Sequence, residues 1–177
     1  YSARNITGGY WNTANGYFAL ENATTAAGNT VMGTSSFRTN VTGFDNVGVG
    51  INTGFHVTSG NNTYLGSYAG EGAAGFSTGG SNTGVGNLAL NDIRSGQANV
   101  AVGINTLRAD TSGTGNVAVG NNAMITNLAS DYNTAVGNNA LYWHKRAGFT
   151  YNTALGASAL EQDSSGFQNT GVGVSAL

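Results

Sequence analysis

Two carboxylates in adjacent repeats are the first residues with a spacing suited to chemistry. Asp92 with Arg94, and Asp110 with Arg108, occupy nearly the same place in consecutive repeats, so stacking would set the carboxylates one rung apart. Carboxyl pairs about 5 to 9 Å apart carry glycoside hydrolysis, one as acid and the other as nucleophile or base. Two arginines beside two aspartates describe a surface ion-pair network equally well, and that is the expectation. Metal clusters and nucleophilic triads have less to work with. The chain has no Cys, and its two histidines, His56 and His144, lie five repeats apart. No catalytic, cofactor or metal residue is assigned.

A second cluster offers contact rather than catalysis. Tyr142, Trp143, His144, Lys145 and Arg146 are consecutive and supply a stacking face, hydrogen-bond donors and positive charge, the ingredients of a sugar or protein contact. The competing expectation folds Trp143 back over the body of the protein and pairs Lys145 and Arg146 with Glu161 and Asp163. Both remain open at this point.

These residues lie in the variable part of a repeat. The phrase Asn82-Thr83-Gly84-Val85-Gly86-Asn87-Leu88-Ala89-Leu90 returns from Asn99, Asn116, Asn133, Asn152 and Asn169, and worn copies begin at Asn12, Asn29, Asn46 and Asn62. The starts are 17, 17, 16, 20, 17, 17, 17, 19 and 17 residues apart, the mark of a repeat architecture. This period is too short for two helices and a turn. A fixed Gly among Asn, Thr and Val favours strands and turns. The expected fold is all-β, a parallel β-solenoid of about ten 17-residue coils, each one phrase followed by one polar arm. At about 4.8 Å per coil the rod is roughly 45 to 50 Å long. One domain spans 1–177, with partial coils at 1–11 and 169–177 and nine full coils over 12–168.

Composition agrees. Among 177 residues there are 29 Gly, no Pro and only 8% charged side chains, while the 40% hydrophobic content argues against disorder. A net charge of −2 gives no electrostatic reason to expect nucleic acid. No run of 18 apolar residues spans a bilayer and no signal peptide opens the chain, so membrane insertion is not expected. Absence of Cys leaves the redox compartment open.

Alternation along each phrase divides it into two faces. The aliphatic row Val85, Val102, Val119, Val136, Leu155 and Val172 is expected to line the interior. The row Gly84, Ala101, Ala118, Ala135, Ala154 and Gly171 would then face outward, where small apolar residues suggest chain-to-chain packing, and Ala118→Arg should break assembly. Coils 1 to 4 look looser: Asn15 takes a core slot, Gly54 and Gly70 replace a large apolar residue with Phe55 beside the first, and the arm from Glu71 to Ser81 is long, with Phe76 in it. The thin core calls for oligomerisation as support. The complete Asn column is expected to be a structural amide ladder. Thr83, Thr134, Thr153 and Thr170 could rank as ice-binding hydroxyls, but Val100 and Val117 interrupt them. The four Asn-x-Thr sequons are assigned no function.

The phrase resembles the Asn-Ser/Thr-x-aliphatic-Gly repeat of the head domains of trimeric autotransporter adhesins and of related phage and bacterial tail-fibre segments. Asn82, Thr83, Val85, Gly86 and their equivalents carry the likeness across the whole chain, weakening towards Asn12. The resemblance implies a left-handed parallel β-roll, three chains about one axis, and display outside a cell or on a virion. The function expected is a structural, non-enzymatic fibre or adhesin segment; the alternatives are a receptor- or glycan-binding tip and a polysaccharide depolymerase. The chain starts at the seventh position of a repeat and stops at the ninth. Excision from a longer fibre explains this, and so does head-to-tail stacking into a filament.

Overall fold

A computed structural model describes residues 1–72 and 77–177 of the chain. Phe76, in the long arm noted above, lies outside the described residues. The described residues form no helix. Their strands, in chain order, are β1 (Thr13–Asn15), β2 (Thr30–Met32), β3 (Val47–Val49), β4 (Thr63–Leu65), β5 (Thr83–Val85), β6 (Val100–Val102), β7 (Val117–Val119), β8 (Ser130–Asp131), β9 (Thr134–Val136), β10 (Gly148–Phe149), β11 (Thr153–Leu155) and β12 (Thr170–Val172). Ten of them make one sheet in the order β1-β2-β3-β4-β5-β6-β7-β9-β11-β12, while β8 and β10 pair separately. Every pairing is parallel and matches equivalent positions, so Ala101 lies opposite Ala118 and Ala118 opposite Ala135. This is a parallel β-solenoid of coils about 17 residues long.

The glycine that follows each strand of the ten-stranded sheet fixes the corner. At Gly103 φ is +135°, and a Cβ there would stand 2.5 Å from the carbonyl oxygen of Gly120 in the next coil. Only glycine meets both demands, which is why the column has no exception. Two positions later in the phrase, and again at its end, non-glycine residues enter the left-handed region: Asn105 has φ 55° and Leu107 has φ 47°. That conformation is uncommon for a bulky side chain. It turns the backbone so that consecutive residues such as Ala89 and Leu90 are both buried.

The assignment of faces is the reverse of the sequence expectation. Ala101, Ala118, Ala135 and Ala154 are fully buried inside the solenoid, and Gly84 and Gly171 are buried with them. The row Val85, Val102, Val119, Val136, Leu155 and Val172 points outward and is partly exposed, most of all at Val172. The cause is the narrowness of the coil. The large residue ending each phrase reaches across to the opposite wall: a Cβ on Gly171 would stand 3.0 Å from Leu160 Cγ. Bulk on one wall therefore demands small residues on the other, and the Gly/Ala row packs within one chain rather than between chains. Asn15, in the aliphatic row, is exposed and is no core defect.

Coils 3 and 4 fill the same space differently. Gly54 and Gly70 stand where other coils carry Leu or Met, or Phe37 in coil 2, and neighbouring rings replace the missing bulk. A Cβ on Gly54 would meet Phe37 Cε2 at 2.5 Å, one on Gly48 would meet the same atom at 2.6 Å, and one on Gly70 would overlap the Tyr64 ring. Phe37 and Tyr64 are both fully buried and stack at 6.1 Å between centroids. The Tyr64 hydroxyl donates to Asn62 Oδ1 at 3.3 Å, and burial raises its pKa. Phe55 does not fill the gap; it is partly exposed, edge-on to His56 and beneath Arg38.

The Asn column is a continuous ladder. Asn116 Oδ1 accepts the backbone N–H of Asn133 at 3.0 Å and its side-chain amide at 3.2 Å. Asn116 Nδ2 donates to Asn99 Oδ1 at 3.2 Å and to the carbonyl of Ser130 at 2.7 Å. Each amide thus satisfies backbone groups that the arm-to-phrase corner would otherwise bury unpaired.

Candidate functional site: the outward sheet face and the corner of coil 8

The paired carboxylates do not come together. Asp92 is exposed, whereas Asp110 sits one position later in its coil and points inward, fully buried. Alternation along the arm separates them, so the hydrolase geometry is not assembled by this pair and no ion pair joins Asp92, Arg94, Arg108 and Asp110. The ion pair among the described residues is Arg38 to Glu21 at 2.7 Å, with the guanidinium 4.4 Å from the Phe18 ring centroid.

Asp110 belongs instead to an interior column with Ala23, Asn40, Val57, Ser77, Ile93, Asn127, His144 and Asp163. The Asx members close a local turn: Asn40 Oδ1 accepts the N–H of Gly43 at 2.6 Å, and Asp110 Oδ1 that of Gly113 at 2.7 Å. The other oxygen of Asp110 is buried without a partner, and burial pushes the carboxyl up to about 7. His144, fully buried, places Nδ1 3.1 Å from the carbonyl of Asp163, so Nδ1 carries the proton. Burial lowers its pKa, and Nε2 is enclosed without a partner. Both side chains are therefore held towards their neutral forms. Among the described residues no group of three or more His, Cys, Asp or Glu is placed to hold a metal ion.

Two surfaces are left for contact. The first is the outward face of the ten-stranded sheet, where each rung presents two outward side chains from the Thr/Val and aliphatic positions. Val49, Leu65, Val117, Val136 and Leu155 are each 36 to 39% exposed, and Val172 66%. One aliphatic file, from Met32 on β2 to Val172 on β12, therefore runs along the sheet beside a mixed file of Thr and Val, and among the described residues no second layer packs over them.

The second is the corner of coil 8. This coil is two residues longer than the common period, and the extra backbone swings out at Ala147 and Gly148, leaving residues 145–149 all exposed. Of the five residues singled out in the sequence, Trp143, Lys145 and Arg146 are exposed, Tyr142 is partly buried, and His144 is enclosed and unavailable to a ligand. Lys145 and Arg146 do not pair with Glu161 or Asp163. Lys145 Nζ lies 5.5 Å from the Trp143 ring centroid, and the Arg146 guanidinium 4.7 Å from that of Phe167 while donating to the carbonyl of Ser165. Tyr132, Phe149 and Tyr151 form a stacked trio beside them, with centroids 5.6 to 6.1 Å apart. Sequence reading missed this trio because its members come from two coils and align only once the long arm re-pairs with coil 7 through β8 and β10.

A hollow of about 350 Å³ at the last coil is lined by Leu160, Gln162, Asp163, Asn169 and Leu177. It holds no convergent catalytic groups. No helix among the described residues is long and apolar enough to cross a membrane. Comparison with protein-family models, characterised proteins and solved structures returns no match for this chain.

Proposed function

We propose that the chain is a structural segment of a surface-displayed fibre or adhesin, built as a left-handed β-roll and assembled from three copies through the outward sheet face. One observation carries the reading: an aliphatic file from Met32 to Val172 lies accessible along nine of the ten strands, beside a file of Thr and Val. An aliphatic stripe of this length on a thin solenoid stabilises most when copies of it bury one another. The three-fold count and the extracellular setting come from the resemblance of the Asn-Thr-x-Val-Gly phrase to adhesin heads. Stacking of trimers end to end would extend the same rod.

Sedimentation equilibrium or native mass spectrometry tests the assembly. The expected species is three times the 17.9 kDa chain. Val117→Lys with Val136→Lys should release folded monomers, because the charges remain solvated once the chains separate. Ala118→Arg should unfold the chain itself, since its position is interior. A monomeric wild type at tens of micromolar would overturn the assembly, and a stable dimer would overturn the three-fold count.

A further inference from the structure

We infer that the corner of coil 8 binds a carboxylate-bearing glycan, with the aromatic rings taking sugar faces and edges and Lys145 and Arg146 taking the carboxylate. The inference does not rest on how the chains assemble. It starts from a cost. Phe149, Tyr151 and Phe167 are 65, 51 and 54% exposed, so the fold recovers only part of the stabilisation these rings would give if buried. At the corresponding arm positions, coils 5 and 6 carry Gln97, Ala98, Thr114 and Gly115, showing that the solenoid closes its corner without rings.

The charges supply the second observation. Arg38 is matched by Glu21, but neither Lys145 nor Arg146 has a carboxylate within ion-pair distance. Glu161, whose backbone carbonyl accepts the N–H of Trp143, pairs with neither cation, and two further acids nearby are engaged elsewhere. Asp163 accepts from the N–H of Gly166 and the side chain of Asn169, and Asp131 Oδ1 accepts the N–H of Thr114. Each cation is instead steadied over a ring, which leaves donors directed to solvent at low entropic cost. Arg146 retains guanidinium donors beyond the one committed to Ser165, enough for a forked carboxylate contact.

Shape and charge together choose the ligand class. The rings and cations span coils 7 to 9, two rung spacings or about 10 Å, which suits a short oligosaccharide. Two cations in a chain of net charge −2 are too few to hold a nucleic-acid backbone, whose affinity comes from many phosphate contacts. One carboxylate among several apolar sugar faces matches the ratio of charge to ring surface on the corner.

Calorimetric titration of the whole chain tests this with three probes: a sialylated oligosaccharide, an oligomer of uronic acid, and the uronic-acid oligomer after reduction of its carboxyls to alcohols. At least one acidic probe should bind, and the reduced oligomer should bind at least about tenfold more weakly than its parent where the parent is the ligand. Lys145→Gln with Arg146→Gln should weaken binding by about tenfold or more, and Trp143→Ala or Phe149→Ala should weaken it without changing the preference for the acidic form. Trp11→Ala and Arg108→Gln, exposed elsewhere, should leave it unchanged. The melting temperature of each variant separates lost contact from lost fold. Absence of binding by both acidic probes at millimolar concentration overturns the inference. So does equal binding of the reduced oligomer, equal binding of an acidic peptide, or full binding by the Lys145/Arg146 variant.

Discussion

Coils 3 and 4 and coils 6 to 9 solve one packing problem in two ways. In the later coils a small residue at the third position accompanies a Leu or Met at the ninth, and the two kinds of residue pack together between coils, as Gly171 does with Leu160 of the coil before it. In the earlier ones the ninth position is Gly54 or Gly70, and Phe37 or Tyr64 reaches across to occupy the space. The quantity held constant is the volume inside each rung, not the identity of the residue that supplies it. Narrow interiors tolerate such exchanges because volume-conserving repacking costs little compared with a void or an overlap.

The sharpest way to break this comparison is to remove a ring. Tyr64→Ala should destabilise the chain by about 3 to 5 kcal/mol, the usual cost of an emptied aromatic site. Gly70→Leu alone should also destabilise, because its side chain would enter the Tyr64 ring. Combining them recreates the small-plus-Leu pattern of coil 5, and the double variant should recover most of the loss in chemical denaturation. Additive losses would show that the two halves are not equivalent solutions.

Next in size is the amide ladder, which both regions share. Asn116→Ala strands the N–H of Asn133 and leaves the carbonyl of Ser130 with only the long bond from Asn127 Nδ2, at 3.4 Å; a buried group left unpaired costs about 1 to 3 kcal/mol. The same change at Asn46 should cost a similar amount, although it lies in the ring-filled region. A much smaller cost at Asn46 would mean that ring packing and the ladder substitute for each other.

The smallest effect concerns Asp110, a charge-bearing member of a column that reads Val57 and Ile93 in coils 3 and 5. Its pKa rises from 3.8 to about 7 in the folded chain. The folded state therefore disfavours the carboxylate, and the stability present below pH about 4 is lost as pH climbs to about 7. Asp110→Asn keeps the acceptor for Gly113, as Asn40 does for Gly43. Its melting temperature should match the wild type near pH 4 and exceed it by a few degrees at pH 8. His144 acts on the acid side in both proteins, since its lowered pKa removes stability as pH falls below 6.5. An Asp110→Asn advantage that is the same at pH 4 and pH 8 would show that burial of charge is not its cause.

Much of the fold was legible because the signal was repeated. A single Asn-Thr-Gly-Val-Gly says little, whereas ten copies at near-constant spacing dictate strand, register and parallel stacking. Which face lies inside was not legible from alternation, which distinguishes two faces without naming them. Aliphatic residues outside and Ala inside follow only when the reach of Leu160 and its equivalents across a narrow coil is known. The cluster from Tyr142 to Arg146 was visible as an anomaly of composition. Its division into an enclosed His144 and exposed neighbours depends on which residues the long arm turns inward, and the Tyr132, Phe149 and Tyr151 trio on a pairing between coils.

The arms absorb differences in length that the phrases never show. Coil 3 has 16 residues, coil 4 has 20 and coil 8 has 19, yet every strand pairs in register with its neighbours. Losing or gaining one residue inside a phrase would turn Ala out and Val in on that rung. The same event in an arm adds only the slowly growing entropy of a longer loop. Insertions and deletions are thus filtered by place: lineages of such a chain can diversify the corner where Trp143 and Arg146 stand while the rungs beneath stay fixed in length.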